Sequence, residues 1–113
     1  MRELPGPTVE DIDLASVMHA LADPSRLHTV SALAETSEVC CAELGELTAS
    51  LGLAKSTRSH HLRVLREAGI LRMRPEGTQN LLSLRCEDLN ALFPGLLDSI
   101  LQAAKACAAR HKT

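Results

Sequence analysis

The spacing of apolar residues changes once along the chain, after Gly69, and this change constrains the fold more than any other feature. Before Gly69, apolar residues recur at intervals of three and four, which is the period of helices packed on one face. After it, apolar and basic residues alternate over 71–74, and a second alternating run, 82–86, follows the turn residues 75–78. The sequence therefore predicts several helices, a two-stranded hairpin and a return to helix.

Capping and turn residues divide the helical part into segments. Asp23-Pro24 combines an N-cap carboxylate with a proline in the first turn, which predicts the start of a second helix. Thr8 is the predicted cap of the first helix, and Pro94 is the predicted start of the last. Gly52 stands where the turn between the third and fourth helices needs a left-handed residue. This order predicts a mainly α protein with a small β-hairpin, a winged helix-turn-helix of about five to six helices.

Length and composition narrow the class of protein. The 113 residues are enough for one compact domain, which we assign to residues 8–113 after a flexible tail of residues 1–7. Phe93 is the only aromatic residue, which excludes nucleic-acid binding by base stacking on aromatic platforms and disfavours a sheet-rich fold. The first residues, MRELPGPTVED, contain no apolar h-region, so we do not expect a signal peptide, and no apolar run approaches the ~20 residues of a membrane span. We therefore expect a cytoplasmic protein without a membrane partner.

Positive charge is concentrated in one stretch of the chain. Residues 1–54 carry two basic and nine acidic side chains, whereas residues 55–74 carry six basic and one acidic. The first segment thus has a net charge of −7 and the second +5, in a chain whose formal net charge is −2. A short helix, a turn and a basic helix are typical of a helix-turn-helix, whose second helix enters the major groove. The predicted partner is double-stranded DNA.

The predicted fourth helix supplies most of the candidate DNA contacts. On a helical wheel centred on Ser56, the outer face of this helix carries short polar side chains and one long guanidinium. His61 lies on the inner face and is expected to be a hydrogen-bonded structural residue. We expect His60 and Arg63 to contact base edges and the first residues of the helix to contact phosphate. Two hairpin arginines are candidates for the minor groove, with a merely solvated edge strand as the alternative. The predicted DNA-binding residues are Lys55, Ser56, Thr57, Ser59, His60, Arg63, Arg72 and Arg74.

Three segments resemble the ArsR/SmtB family of bacterial winged-helix repressors. They are ALADPSRLHTVSALAE, LTASLGLAKSTRSHHLRVLREAGIL and the wing EGTQNLLSLR, and the similarity covers roughly residues 14–93. The resemblance implies a homodimer paired through its first and last helices. It also implies an operator with two half-sites and release of the DNA when an inducer is sensed. The apolar stripe of the predicted last helix lacks a partner within the chain and is what such a dimer would bury.

The cysteines are the candidate sensing residues. In a reducing compartment, metal, redox or packing roles are expected rather than a disulfide scaffold. The family's arsenic and cadmium site has the pattern Cys-Val-Cys, where this chain has Cys40, Cys41 and Ala42. The zinc site of the last helix is also incomplete, because Asp98 has no closely spaced histidine, and no cysteine precedes position 40. An adjacent pair therefore remains.

Cys40 and Cys41 are expected at the start of the third helix. This helix supports the fourth helix, which is predicted to enter the major groove and is called the recognition helix below. Backbone N–H groups there favour a thiolate, although Glu38 and Glu43 oppose it. Neighbouring Cα atoms lie ~3.8 Å apart, below the usual range for a disulfide, so the bond would be strained and readily reduced. We predict that oxidation to this vicinal disulfide weakens operator binding. Some family members sense oxidants through cysteine, and the placement is similar to that of a peroxide-responsive member.

Other roles remain open for the thiols. Trivalent arsenic or another soft metal would need a third thiolate, from Cys86 or Cys107 of either subunit, beside Cys40 and Cys41. Inert packing is the default for Cys86 and Cys107, and it is an alternative for the pair. No cofactor is predicted. We do not expect an enzyme, because the chain has no Cys-x-x-Cys motif, no βαβ pattern and no catalytic constellation.

Overall fold

The computed structural model describes residues 6–110. Over this range the chain forms six α-helices, three short β-strands and two single turns of 3₁₀-helix, at Val9–Asp11 and Ala49–Leu51. This order confirms the predicted mainly α fold with its hairpin. The helices are α1 (Leu14–Leu21), α2 (Pro24–Ala34), α3 (Cys41–Leu47), α4 (Lys55–Glu67), α5 (Cys86–Leu92) and α6 (Leu96–Arg110). The strands are β1 (Val39–Cys40), β2 (Leu71–Glu76) and β3 (Gln79–Leu84).

The sheet is antiparallel, and β3 lies in its middle, between β1 and β2. The predicted hairpin is formed by β2 and β3, which are joined by the two residues Gly77 and Thr78. Strand β1 was not predicted, because two residues are too short to show an alternating pattern. It ties the segment before α3 to the hairpin. The register pairs Leu71 with Leu84, Glu76 with Gln79, Val39 with Leu82 and Cys40 with Leu81.

Three predicted boundaries in the C-terminal half were wrong. The turn expected at 75–78 is only Gly77 and Thr78, because Pro75 and Glu76 pair with β3 and belong to β2. The strand expected to continue to Cys86 ends at Leu84, and Cys86 is the first residue of α5. The last helix begins at Leu96 instead of Pro94. Gly95 separates the two with a left-handed φ of 79°, which no residue inside a right-handed helix adopts.

The start of the first helix also differs from the prediction. Thr8 precedes only the 3₁₀ turn, and its hydroxyl donates to the Asp11 carboxylate at 3.0 Å. Asp13 is the cap of α1 and accepts a hydrogen bond from the backbone N–H of Ser16 at 3.1 Å. In the next helix, Asp23 caps as predicted.

The core gathers side chains from α2, α3, α4 and the sheet. The completely buried side chains of the core come from helices and strands that follow one another along the chain. Their packing therefore holds α4 in a fixed position relative to the strands. Across the described residues, no helix is both long and apolar enough to cross a membrane. The most buried large side chains are Val30, Leu33, Leu44, Leu65, Ile70, Leu71 and Leu82.

The segment before α1 packs against the end of α4. Gly69 follows that helix with a φ of 88°, and a Cβ atom added to it would lie 2.6 Å from Ile12 Cγ1. Arg85 Nη1 donates to the carbonyl of Pro7 at 2.7 Å, while Arg85 Nε donates to the Asp88 carboxylate at 3.0 Å. Of the predicted tail, residues 1–5 lie outside the described residues.

Candidate DNA-binding surface and thiol pair

The helix-turn-helix is formed by α3, the 3₁₀ turn and α4. Gly52 ends the turn with a φ of 63°, which confirms the predicted left-handed glycine. Helix α4 then begins after Ala54, a residue without a side-chain acceptor for the first N–H groups of the helix. Uncapped N–H donors at the start of a helix, together with its dipole, favour binding of an anion such as phosphate.

The predicted contact residues of α4 share one exposed surface. His60 Nδ1 lies 3.5 Å from Arg63 Nη2, so the two residues predicted to contact bases are neighbours. On the opposite side of the helix, Leu62 and Leu65 are buried in the core. The structure therefore brings together six exposed α4 residues of the predicted set: Lys55, Ser56, Thr57, Ser59, His60 and Arg63.

His61 joins α4 to α2. Its side chain is only 12% exposed, its Nδ1 lies 3.2 Å from Arg26 Nη1, and its Nε2 lies 3.9 Å from Asp23 Oδ2. Because a guanidinium can only donate, Nδ1 accepts, which leaves the ring proton of the neutral form on Nε2, toward Asp23. The backbone N–H of Arg26, with smaller contributions from the charges of His61 and Arg26, lowers the pKa of Asp23. The expected structural role of His61 is confirmed.

The two hairpin arginines are bound to carboxylates. Arg74 Nη2 lies 3.0 Å from Glu38 Oε1 and Arg74 Nε lies 3.2 Å from Glu38 Oε2, a bidentate ion pair, and Nη1 also contacts Glu76. Hydrogen bonds to Glu38 and Glu76 raise the pKa of Arg74 above its ordinary value. Arg72 Nη2 lies 3.9 Å from Asp88 Oδ2. To contact phosphate, Arg74 would have to exchange the carboxylate of Glu38, a pairing that the sequence did not predict.

The thiol pair lies where the sheet meets the helix-turn-helix. Cys40 is buried, ends β1 and caps α3, while Cys41 is exposed and begins α3. The backbone N–H of Cys40 donates to Glu43 Oε1 at 3.1 Å, and the Cys40 thiol hydrogen-bonds to the same side chain. These two hydrogen bonds hold the pKa of Glu43 below its usual value. The carboxylate predicted to oppose a thiolate thus contacts Cys40.

Cys41 is in a different electrostatic environment. Partial burial of its sulfur and the neighbouring Cys40 raise the pKa of the Cys41 thiol, and the charge of Arg58 opposes this rise. Arg58 is absent from the predicted site residues. Of the basic residues of α4 it lies farthest from the side predicted to face DNA, about 200° from Ser56 on the helical wheel. The sequence signal that could have identified Arg58 was its position on the side of the helical wheel that faces α3.

Cys86 and Cys107 do not complete a metal site with the pair within one chain. Cys86 begins α5 and Cys107 lies in α6, and both are exposed free thiols. Burial and the charge of Asp98 raise the pKa of Cys86. Within residues 6–110, no three histidine, cysteine, aspartate or glutamate side chains come together in an arrangement that could hold a metal ion.

Comparisons with known proteins agree with this architecture. Residues 23–72 match the family described as bacterial regulatory protein, arsR family. The HTH-type transcriptional regulator YceK of Bacillus subtilis is 33% identical over 87 residues, which cover 76% of this chain and 84% of YceK. The transcriptional repressor SmtB homolog of Synechocystis is 34% identical over 101 residues, which cover 86% of this chain and 74% of the homolog.

A solved structure supports the same relationship. It is the homodimeric winged helix-turn-helix DNA-binding domain of Mb0332 from Mycobacterium bovis, a possible ArsR-family regulator. The two chains align with a TM-score of 0.61 at 26% identity, over 88% of this chain and 82% of that domain. Family, fold and exposed basic helix agree: the chain belongs to the ArsR family of DNA-binding transcriptional regulators and is not an enzyme.

Proposed function

We propose that the chain is a homodimeric repressor that binds operator DNA and is released when Cys40 and Cys41 are oxidised to a disulfide. The observation that carries this proposal is the double role of Cys40. The same residue pairs with Leu81 in the sheet and caps α3, the helix that precedes the recognition helix. A covalent change at its sulfur therefore acts on the wing and on the helix-turn-helix together.

Oxidation would remove interactions that hold this junction in place. In the reduced pair, the Cys40 side chain lies in the core and bonds to Glu43, whereas Cys41 points to the surface. A bond between the two sulfurs requires both side chains to turn toward each other across Cα atoms only ~3.8 Å apart. Forming this bond would break the cap of α3 and the short pairing of β1 with β3.

The redox step is balanced with a peroxide as the oxidant. Two thiols and one hydrogen peroxide give one disulfide and two water molecules, and the cysteines supply both electrons. A dithiol such as dithiothreitol reverses the step by thiol–disulfide exchange. The strain of the adjacent pair favours this reversal.

DNA contact is assigned to the exposed face of α4 and to the wing. His60 and Arg63 would contact base edges. The start of α4 has no side-chain cap, and a phosphate there would be surrounded by Lys55, Ser56 and Thr57. Ser59 lies between these two sets. In the wing, Arg72 and Arg74 would exchange their carboxylate partners for phosphate.

Dimerisation is assigned to α1 and α6. Leu14 and Met18 of α1 are 43% and 54% exposed, although both are large apolar side chains separated by one helical turn. Leu97 is buried, and Ile100 and Leu101 pack partly against the core of the same chain, so the prediction that the apolar stripe of the last helix lacks a partner within the chain was wrong for these residues. Ala103 and Cys107, farther along α6, are exposed. An exposed apolar surface on two helices is the type of surface that a second copy would bury.

Fluorescence anisotropy with DNA from the protein's own promoter tests the proposal. We expect reduced, chelator-treated protein to lose affinity on addition of hydrogen peroxide and to regain it with dithiothreitol. Cys40→Ser should abolish the response, whereas Cys107→Ser is the matched control and should retain it. Unchanged affinity of the wild type through the whole cycle would refute the redox function.

The same assay distinguishes the alternative of a soft-metal sensor. A trigonal arsenic site would need Cys86 or Cys107 from a second subunit, because neither joins Cys40 and Cys41 within the described residues of one chain. Release by arsenite that fails in Cys86→Ser or Cys107→Ser, without any response to peroxide, would support that alternative. A peroxide response that needs only Cys40 and Cys41 would support the disulfide.

A further inference from the structure

Arg58 of the recognition helix rests against the face of α3 that carries Cys41. A Cβ atom added to Gly45 would lie 3.5 Å from Arg58 Nη1 and 3.7 Å from Arg58 Cζ. Gly45 follows Cys41 by four residues, which places both on one side of α3. The absence of a side chain at Gly45 leaves room for the guanidinium one helical turn after the exposed thiol.

We propose that Arg58 is a positioning residue for the thiol pair, which makes Cys41 the thiol that attacks a peroxide and leaves Cys40 to form the disulfide. This inference rests on the proposed redox function and assigns the order of its two steps. The guanidinium acts through Cys41 and does not itself react.

The two thiols differ in ways that favour this order. Cys41 is exposed and has a guanidinium nearby, whereas Cys40 is buried and bonds to a carboxylate. A positive charge stabilises a thiolate, and a peroxide reaches an exposed sulfur more easily than a buried one. Burial and, to a smaller extent, Cys40 raise the pKa of the Cys41 thiol, and the positive charge of Arg58 opposes this rise, so removing that charge would leave less of the thiolate.

Each chemical step balances with hydrogen peroxide as the oxidant. The Cys41 thiolate attacks one peroxide oxygen, so an S–O bond forms, the O–O bond breaks and the departing hydroxide takes a proton to become water. Cys41 is then a sulfenic acid. The Cys40 thiol gives its proton to solvent through Glu43, and its sulfur attacks the Cys41 sulfur. The S–O bond breaks, and the departing hydroxide takes a proton from solvent to become the second water. Oxidation thereby removes the thiolate that faces Arg58.

The first test measures the alkylation rate of Cys41 by iodoacetamide as a function of pH, in DNA-free full-length protein. Peptide mass spectrometry in a Cys40→Ser background assigns the product. Loss of the Arg58 charge raises the pKa of Cys41 further and lowers its thiolate fraction, and the greater nucleophilicity of the more basic thiolate offsets only part of this loss. We therefore expect Arg58→Gln to lower the rate at pH 7 and to move the pH profile upward. Arg58→Lys should restore most of the rate, whereas Lys105→Gln, which removes a distant positive charge, should not change it.

A pair of glycine variants tests the same contact without changing any charge. Gly45→Ala should fit, because 3.5 Å is an ordinary van der Waals distance, and it should leave the rate unchanged. Gly45→Leu fills the position of the guanidinium and should slow alkylation as Arg58→Gln does. This pair remains decisive if Arg58→Gln does not fold, as judged by circular dichroism.

Dimedone trapping tests the order of the steps. After one equivalent of peroxide, Cys40→Ser protein should carry a dimedone adduct on Cys41, several-fold more abundant than the adduct on Cys40 in Cys41→Ser protein. Equal trapping of the two cysteines, or an alkylation profile that Arg58→Gln leaves unchanged, would refute the role of Arg58. The redox function would survive that result if peroxide still releases DNA, and it would fail separately if peroxide does not.

Discussion

Replacing Gly69 with alanine is expected to lower the free energy of unfolding by about 2–5 kcal/mol. An alanine forced into the left-handed region, at the φ of 88° found here, contributes about 1–2 kcal/mol of this loss. The new Cβ would also stand 2.6 Å from Ile12 Cγ1 and 2.8 Å from Ile12 Cδ1. Ile12 is buried and cannot easily move away, and overpacking of this kind costs about 1–3 kcal/mol.

A double-variant cycle separates the two contributions. Ile12→Ala removes both clashing atoms and costs about 2–5 kcal/mol alone, as expected for a buried isoleucine. In the double variant, the loss should fall short of the two single losses combined by about 1–3 kcal/mol, because the overpacking is gone. Gly77→Ala is the control for the backbone contribution, since Gly77 has a φ of 62° and no atom within 4 Å of its Cβ position.

Urea unfolding followed by far-ultraviolet circular dichroism measures these losses. Phe93 is the only aromatic residue, so intrinsic fluorescence offers no useful signal. Protomer concentration must be held constant, because the stability of a dimer depends on it. Losses in the Gly69 and Ile12 variants that add to within about 0.5 kcal/mol would refute the proposed steric contact.

Four further predictions concern the dimer, the DNA surface and the pH dependence of stability. Met18→Glu should lower the dimer fraction in sedimentation velocity, and a fully retained dimer would exclude this part of α1 from the interface. Lys55→Gln should weaken binding to operator and unrelated DNA alike and reduce the slope of log K against log salt by about one. Arg63→Gln should weaken operator binding selectively, by about 1–3 kcal/mol, and equal losses on both DNAs would exclude base contact. Asp23 has a lowered pKa in the folded state, so it stabilises the fold above its ordinary value of 3.8 and loses this contribution as pH falls through the lowered value. The stability difference between wild type and Asp23→Asn should therefore shrink below pH 3.8 in acid unfolding experiments, and a constant difference would contradict the assignment.

Features that depend on local chemistry were predictable from the sequence. Gly52 and Asp23 occupy positions with one dominant conformational requirement, and both have the predicted roles. The hairpin followed from period-two alternation, and α4 followed from helical spacing with a basic outer face. The exposed contact surface of α4 was therefore predictable from its residues.

Features that depend on tertiary contact were not predictable. The two residues of β1 are recognised only through their pairing with β3, and the ion pair of Glu38 with Arg74 joins residues 36 positions apart. The contact of Arg58 with Gly45 depends on how α3 crosses α4, which no local pattern encodes. The end of β3 was predicted too far along because alternation continues to Cys86, although the backbone turns into α5 at that residue.

The pairing of Cys40 with Leu81 determines when Cys40 becomes buried during synthesis of the protein. When α3 leaves the ribosome, β3 has not yet emerged, so Cys40 cannot pair with Leu81 and is not yet buried. The difference between the two thiols therefore arises only after β3 has emerged and closed the sheet. A nascent chain stalled between these two points would present both sulfurs to solvent, and its oxidation would lack the selectivity of the finished fold.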